Sequence, residues 1–186
     1  MLEITGERKR AHALNQEAVT LETLYERHAA QVLRHAYFLL GNRDDAEDIT
    51  QETFLRAHRA LHSFAARSHP LTWLLRITTN LCYDQRRQHL RQQKGETSLL
   101  LSEALPDISA QVEQTDTTRQ LLRVLDGLPL SDRTVLVLHL LEDMNYVQIA
   151  QVLSCNRYAA KMRTLRALRR FRERAERFFT EKEEKP

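Results

Sequence analysis

Chain breakers are scarce: the 186 residues hold only four glycines and four prolines. Aromatic content is 6%, with a single tryptophan. Little β-branched alternation is present either. These shortages exclude a turn-rich β fold and predict a nearly all-helical chain. The two cysteines, Cys82 and Cys155, lie one in each half, with no spacing for a disulfide framework or a zinc site. A reduced, cytoplasmic protein is the expectation. No apolar run is long enough to span a bilayer, and the start lacks an apolar stretch with a small-residue cleavage site. A phosphate-cradling glycine loop and a nucleophile–base arrangement are both missing, so neither a cofactor nor catalysis is expected. His58 and His62 stand at i, i+4, but no third ligand has a plausible metal spacing. They read as exposed histidines on a polar helix face.

What the chain has is segregated charge. Its 28 basic and 25 acidic residues nearly cancel, to a net charge of +3. Yet acid gathers in Asp44–Glu52 and base in Arg157–Arg177. Most of the basic residues are arginine, which suits phosphate contact better than mere solubility.

Taken in order, residues 1–19 read as a flexible, polar arm. Thr20 caps a helix running to Leu40, with Leu21, Leu24, His28, Val32, Ala36 and Leu39 as its apolar stripe, and Gly41 ends it in the left-handed conformation. A second helix covers Asp44–Leu61, capped by Asp44 with Glu47 in a capping box. Ile49, Thr53, Phe54, Ala57 and Leu61 make its core stripe. Asp48, Gln51, Glu52 and Leu55 share another stripe at i, i+3, i+4 and i+7. By itself that stripe reads as a solvated face. Ser63–Pro70 is a loop carrying Phe64 and Arg67. A third helix, Pro70 to Arg91, has Trp73, Ile77 and Leu81 as its core stripe, Asn80 and Asp84 on a neighbouring face, and a basic end in Arg86, Arg87 and Arg91.

Residues 92–116 read as a linker containing Gly95, Pro106 and the apolar patch Leu99–Leu101. A second helical domain covers 117–180, followed by a charged tail, 181–186. Leu121, Leu122, Leu125 and Leu128 carry its first helix. Ser131 caps the next, Asp132–Glu142. Asn145 and Gln148 form a capping box opening Tyr146–Leu153. After the turn Ser154-Cys155-Asn156, a last helix runs from Arg157 to Phe179, its inner stripe Met162, Leu165, Leu168, Phe171, Ala175 and Phe178.

A short helix, a tight turn and a longer basic helix form a helix-turn-helix pattern. Lys161, Arg163 and Arg166 lie in the first turns of the second helix, the part that enters a major groove. Arginine there binds guanine edges bidentately or holds phosphates. The later arginines are expected on phosphates or on nothing.

Three ordered blocks resemble one family over Leu24–Arg177. The first is Asp45-Ala46-Glu47-Asp48-Ile49-Thr50-Gln51-Glu52-Thr53-Phe54. The second is Trp73-Leu74-Leu75-Arg76-Ile77-Thr78-Thr79-Asn80, continued by Asp84 and Arg86-Arg87. The third joins Leu128-Pro129, Tyr146-Val147-Gln148-Ile149-Ala150 and Lys161-Met162-Arg163. Together they resemble the extracytoplasmic-function group of bacterial sigma factors. The resemblance implies an all-α protein with a region 2 domain at 20–91 and a region 4 domain at 117–180. It implies that Asp48, Gln51, Glu52 and Leu55 dock on the clamp helices of the largest subunit of core RNA polymerase. Phe64, Arg67, Arg76, Asn80, Arg86 and Arg87 would serve the downstream promoter element, with Phe64 and Arg67 lining a pocket for a flipped base. Trp73 is expected in the core, and Asp84 is expected to fix a nearby arginine. Arg157, Tyr158, Lys161, Met162, Arg163, Leu165 and Arg166 would serve the upstream element. An anti-sigma protein is a possible further partner; insertion into a membrane is not expected.

The chain departs from the family where Tyr158, Ala159 and Ala160 replace the usual Gly-Thr-Val and Met162 replaces a serine. The upstream sequence read is therefore not carried over. Two rivals remain: a helix-turn-helix regulator that never binds polymerase, and a metal-dependent enzyme using the acid cluster with His58 and His62.

Overall fold

The computed structural model describes residues 20–63, 69–95 and 116–183, and every regular element among them is helical. Three helices come first: α1 (Leu21–Leu40), α2 (Arg43–Ala60, tightening into a 3₁₀ turn at Leu61–Ser63) and α3 (Pro70–Gly95). Four follow: α4 (Asp116–Asp126), α5 (Leu130–Leu136, widening into a π-type turn over Val137–Leu141), α6 (Tyr146–Val152) and α7 (Arg157–Glu183). The proposed arm, the Phe64–Arg67 loop, most of the linker with Leu99–Leu101, and the last three residues lie outside the described residues.

α1 forms as its sequence predicts. Thr20 accepts from the Thr23 amide while Thr23 bonds back to the Thr20 backbone, and Gly41 stops the helix at φ 76° with its N–H on the Tyr37 carbonyl. Leu24, Val32, Ala36 and Leu39 are buried; Leu21 and His28 are half-buried.

α2 starts differently from expectation. Asn42, not Asp44, is its N-cap: its side-chain oxygen accepts from the amides of Asp44 at 2.9 Å and Asp45 at 3.4 Å. Asn42 is the last residue in extended backbone, so only its side chain can fold back on the first turn. The predicted capping box is absent; Glu47 instead pairs with Arg43 at 2.7 Å. Ile49, Thr53, Phe54 and Ala57 are buried as predicted, and Leu61 is half-buried.

α3 packs against both α1 and α2, and its buried face is wider than the predicted stripe, of which Leu81 is buried and Trp73 and Ile77 pack against the core from its margin. Leu74, Leu75, Thr78, Leu81 and Cys82 are buried, whereas Trp73 and Ile77 are only half-buried on the margin. One further partner widens and rotates the buried face. The buried threonines bring no unpaired hydroxyl at Thr50, Thr53 or Thr78. Each bonds a carbonyl one turn back, and Thr53 also meets Thr78 at 3.2 Å across the α2–α3 contact. His35 is fully buried with Nε2 2.9 Å from the Thr79 hydroxyl and no partner among the described residues on Nδ1. Burial, aided by the neighbouring Arg34 charge, lowers its pKa to about 3, so it is neutral.

In the second group, α5 begins at Leu130, and Ser131 is not its cap. Pro129 precedes the helix and supplies a carbonyl to the amides of Asp132 and Arg133. Its fixed φ pre-sets the first turn one residue early. The long α7 buries Ala160, Thr164 and Ala167, small residues that let it lie close on α5 and α6. The predicted inner stripe is its flank: Met162, Leu168, Phe171, Ala175 and Phe178 are half-buried, and Leu165 is 43% exposed. Leu168 and Phe171 still pack against the core from that flank.

Candidate polymerase-binding and nucleic-acid interfaces

The outer stripe of α2 is held by what lies beneath it. Thr53 and Phe54 point inward, and Phe54 meets the Tyr25 ring edge-on at 4.9 Å. With that face fixed, Asp48, Gln51 and Leu55 are exposed and Glu52 is half-exposed, paired with Arg56 at 2.7 Å. Leu55 is 52% exposed, a large apolar side chain set among carboxylates. All four sequence-predicted residues therefore share one accessible face.

On α3, Arg76, Asn80, Asp84, Arg87 and Arg91 are all exposed at i, i+4, i+8, i+11 and i+15, a single stripe along the helix. Asp84 accepts from Arg87, as expected for a carboxylate that fixes an arginine. Trp73 flanks the stripe seven residues before Asn80, so its expected place in the core is corrected to the margin. Arg86 is exposed but lies round the helix from that stripe. Phe64 and Arg67, the proposed pocket residues, lie outside the described residues.

The helix-turn-helix is α6, the turn Leu153–Asn156 and α7. Asn145 caps α6, accepting from Val147 at 2.9 Å and Gln148 at 3.1 Å, and Gln148 accepts from the Asn145 amide at 3.0 Å. Ser154 adopts φ 52°, and the Cys155 amide bonds the Ala150 carbonyl, which reverses the chain tightly. Asn156 then accepts from the Ala159 amide at 2.7 Å and starts α7. With Ala160 and Thr164 buried, the opposite face carries Arg157, Lys161, Leu165 and Arg166, all exposed, beside half-buried Met162. Tyr158 is 72% exposed, the most open large apolar side chain described. Arg163 is exposed too. Arg166 Nε bonds the Met162 carbonyl at 3.2 Å, which holds its guanidinium along the helix.

The later arginines do not all face outward, contrary to expectation. Arg170 pairs with Asp132 of α5 at 2.6 Å, and Arg174 donates to the Val124 carbonyl at 3.0 Å at the end of α4. The Arg174 guanidinium fills the space where a side chain on Gly127 would stand. These two arginines fasten α7 to α4 and α5. Sequence reasoning also missed a groove lined by Leu140, Leu168, Phe171, Ala175 and Phe179 together with Arg172, Glu176 and Thr180. The helix predicted over Asp132–Glu142 is strongly apolar, but Leu140, within the π-type turn, is exposed.

Comparison with known proteins agrees with this geometry. Residues 24–92 match the family described as Sigma-70 region 2, and residues 118–171 match Sigma-70, region 4. The chain is 32% identical over 163 residues to the ECF RNA polymerase sigma factor SigE of Mycolicibacterium smegmatis, covering 82% of this chain and 60% of that one. It is 31% identical to SigW of Bacillus subtilis, covering 67% of this chain and 72% of that one. In fold it is similar to the sigma factor RpoE of Bartonella quintana, solved in complex with the anti-sigma factor NepR. That match has a TM-score of 0.72 at 24% identity, over 83% of this chain and 96% of the other. CnrH, solved with the cytosolic domain of CnrY, matches with a TM-score of 0.61 at 23% identity, over 89% and 92%. With both regions matched in order, and with a 31% identical relative aligned over most of its length, the chain belongs to the extracytoplasmic-function group of RNA polymerase sigma factors.

Proposed function

We propose that this chain binds core RNA polymerase, directs it to promoters and nucleates strand opening, with no hydrolytic activity of its own. It works in the cytoplasm, and an anti-sigma protein is a candidate partner. The supporting observation is the outer stripe of α2, where Leu55 stands exposed among Asp48, Gln51 and Glu52. A merely solvated face gains nothing from an exposed leucine. A docking face gains apolar burial from it and orientation from the acids, which meet basic side chains on the polymerase clamp helices. Residues 20–91 form the polymerase-binding and downstream-element domain, 92–116 the linker and 117–180 the upstream-element domain, between an N-terminal arm and a short tail.

In this reading Arg76, Asn80, Arg86 and Arg87 serve the downstream element with Phe64 and Arg67. Asn80 can read a base edge, and the arginines hold phosphates. Arg157, Tyr158, Lys161, Met162, Arg163, Leu165 and Arg166 face the upstream duplex. Reversing Asp48 and Glu52 together to arginine tests the reading. It should remove promoter-directed transcription by reconstituted polymerase while leaving the free chain's affinity for upstream-element DNA unchanged. Intact transcription control in that variant would instead fit a helix-turn-helix regulator that acts without polymerase.

A further inference from the structure

The first turns of α7 carry two lines of side chains on opposite sides. Ala160, Thr164 and Ala167 are buried. Tyr158, Met162 and Leu165 follow the same spacing, i, i+4 and i+7, two residues out of step and so about 200° round the helix. Tyr158 and Leu165 are exposed, and Met162, between them in sequence, is half-buried. A single exposed apolar side chain needs no explanation. Three in register along the middle of an outer face do, because each keeps apolar surface in water in the free chain. Cations flank this line. Arg157 and Lys161 lie on one side of it and Arg166 on the other, all exposed. No carboxylate occurs between Arg157 and Arg172.

An apolar strip between two cationic edges matches the cross-section of a DNA major groove, where base edges form the floor and phosphates the walls. From Tyr158 to Leu165 the helix rises about 10 Å, the length of about three base pairs. The N-terminal residues of a recognition helix are the ones that reach base edges. Here the second residue of α7 is Tyr158, 72% exposed. Tyr158, Met162 and Leu165 cannot make the bidentate bonds by which arginine reads guanine or asparagine reads adenine. The group on the groove floor that apolar side chains can cover is the 5-methyl of thymine. Guanine and cytosine edges under the same strip would lose water and gain no partner. We propose that Tyr158 and Met162, continued by Leu165, determine specificity at the upstream contact by covering the methyl groups of a short thymine-rich run, while Arg157, Lys161 and Arg166 hold the phosphates on either side. This rests on the reading of α7 as the upstream-element helix and adds the class of base that the helix selects.

The test uses the full chain and a pool of DNA duplexes with a randomised segment. Wild type should enrich sites with adjacent T·A pairs. Replacing those thymines by deoxyuridine in the enriched duplex removes only the methyl groups, and should weaken binding about fourfold for each methyl covered. Tyr158→Phe should keep this sensitivity, because the ring and not the hydroxyl makes the contact. Tyr158→Ala with Met162→Ser should bind the thymine and deoxyuridine duplexes equally, with the salt dependence of wild type, since its cations are untouched. Circular dichroism checks that the double variant keeps its helix. Should it not, the deoxyuridine comparison on wild type and Tyr158→Phe decides by itself. An enriched site without thymines, an enriched site that tolerates deoxyuridine, or a folded Tyr158→Phe protein that no longer senses the methyl groups overturns the inference and leaves the upstream-element reading standing. No enrichment of any sequence overturns both.

Discussion

α2 and α7 are both amphipathic helices with a charged outer face, yet they spend their charge differently. On α2 the core is made by Ile49, Thr53, Phe54 and Ala57, and the acids Asp48 and Glu52 stand outside it. On α7 the arginines divide. Those of the first turns face outward, while Arg170 and Arg174 reach back to Asp132 and the Val124 carbonyl. A run of like charge is therefore not one functional unit. Its members are separated by what each can reach from its own turn.

That comparison can be broken most sharply at two adjacent residues of α2. Phe54→Ala removes a buried ring and should cost about 3–5 kcal/mol of stability, read by denaturant unfolding. Leu55→Ala should change stability by no more than about 0.5 kcal/mol and yet weaken polymerase binding; equal stability losses at the two positions would deny α2 its two faces. Next comes Asn80→Ala on the exposed stripe of α3. It should leave polymerase affinity intact and reduce the permanganate-reactive bubble at the promoter, whereas an undiminished bubble removes Asn80 from strand opening.

For α7 the two classes of arginine should separate in kind. Arg166→Ala should lower the slope of log affinity against log salt for upstream DNA by about 1, without moving the melting temperature. Arg170→Ala with Arg174→Ala should lower the melting temperature and leave the slope alone. A crossed result would reverse the assignment of inner and outer arginines.

The last effect concerns acid. His35 is neutral in the fold, with its pKa held near about 3 chiefly by burial. The unfolded chain takes up that proton near the ordinary value of about 6.5, so it binds more protons than the fold below that pH. The stabilising contribution of neutral His35 is then complete above about pH 6.5 and is lost as pH falls toward about 3. Melting temperatures should decline from pH 6.5 to 5, less steeply in His35→Gln, which can still reach Thr79. Parallel curves for the two proteins would exclude His35 as a source of the decline.

Much of this was legible in the residues. Caps and turns that depend on neighbours in sequence were readable: Thr20 and Gly41 around α1, Asn145 with Gln148 at α6, and the turn between α6 and α7. The outer α2 stripe was readable because its inner face is marked by Ile49, Phe54 and Ala57. Caps with two nearby candidates were not, as Asn42 against Asp44 shows. Nor was the register of α3, whose apolar residues lie on most sides and are sorted only by contact with α1 and α2 together. The work of Arg133, Arg170 and Arg174 leaves no periodic trace at all. Each bonds a group brought close by the fold, as when Arg133 meets the Leu39 carbonyl 94 positions away.

The most direct measurement is gel filtration of the purified chain with sigma-free core RNA polymerase. The chain should elute with the polymerase at one to one, and the Asp48→Arg, Glu52→Arg variant, folded by circular dichroism, should elute alone. Separate elution of the wild-type chain would contradict the account.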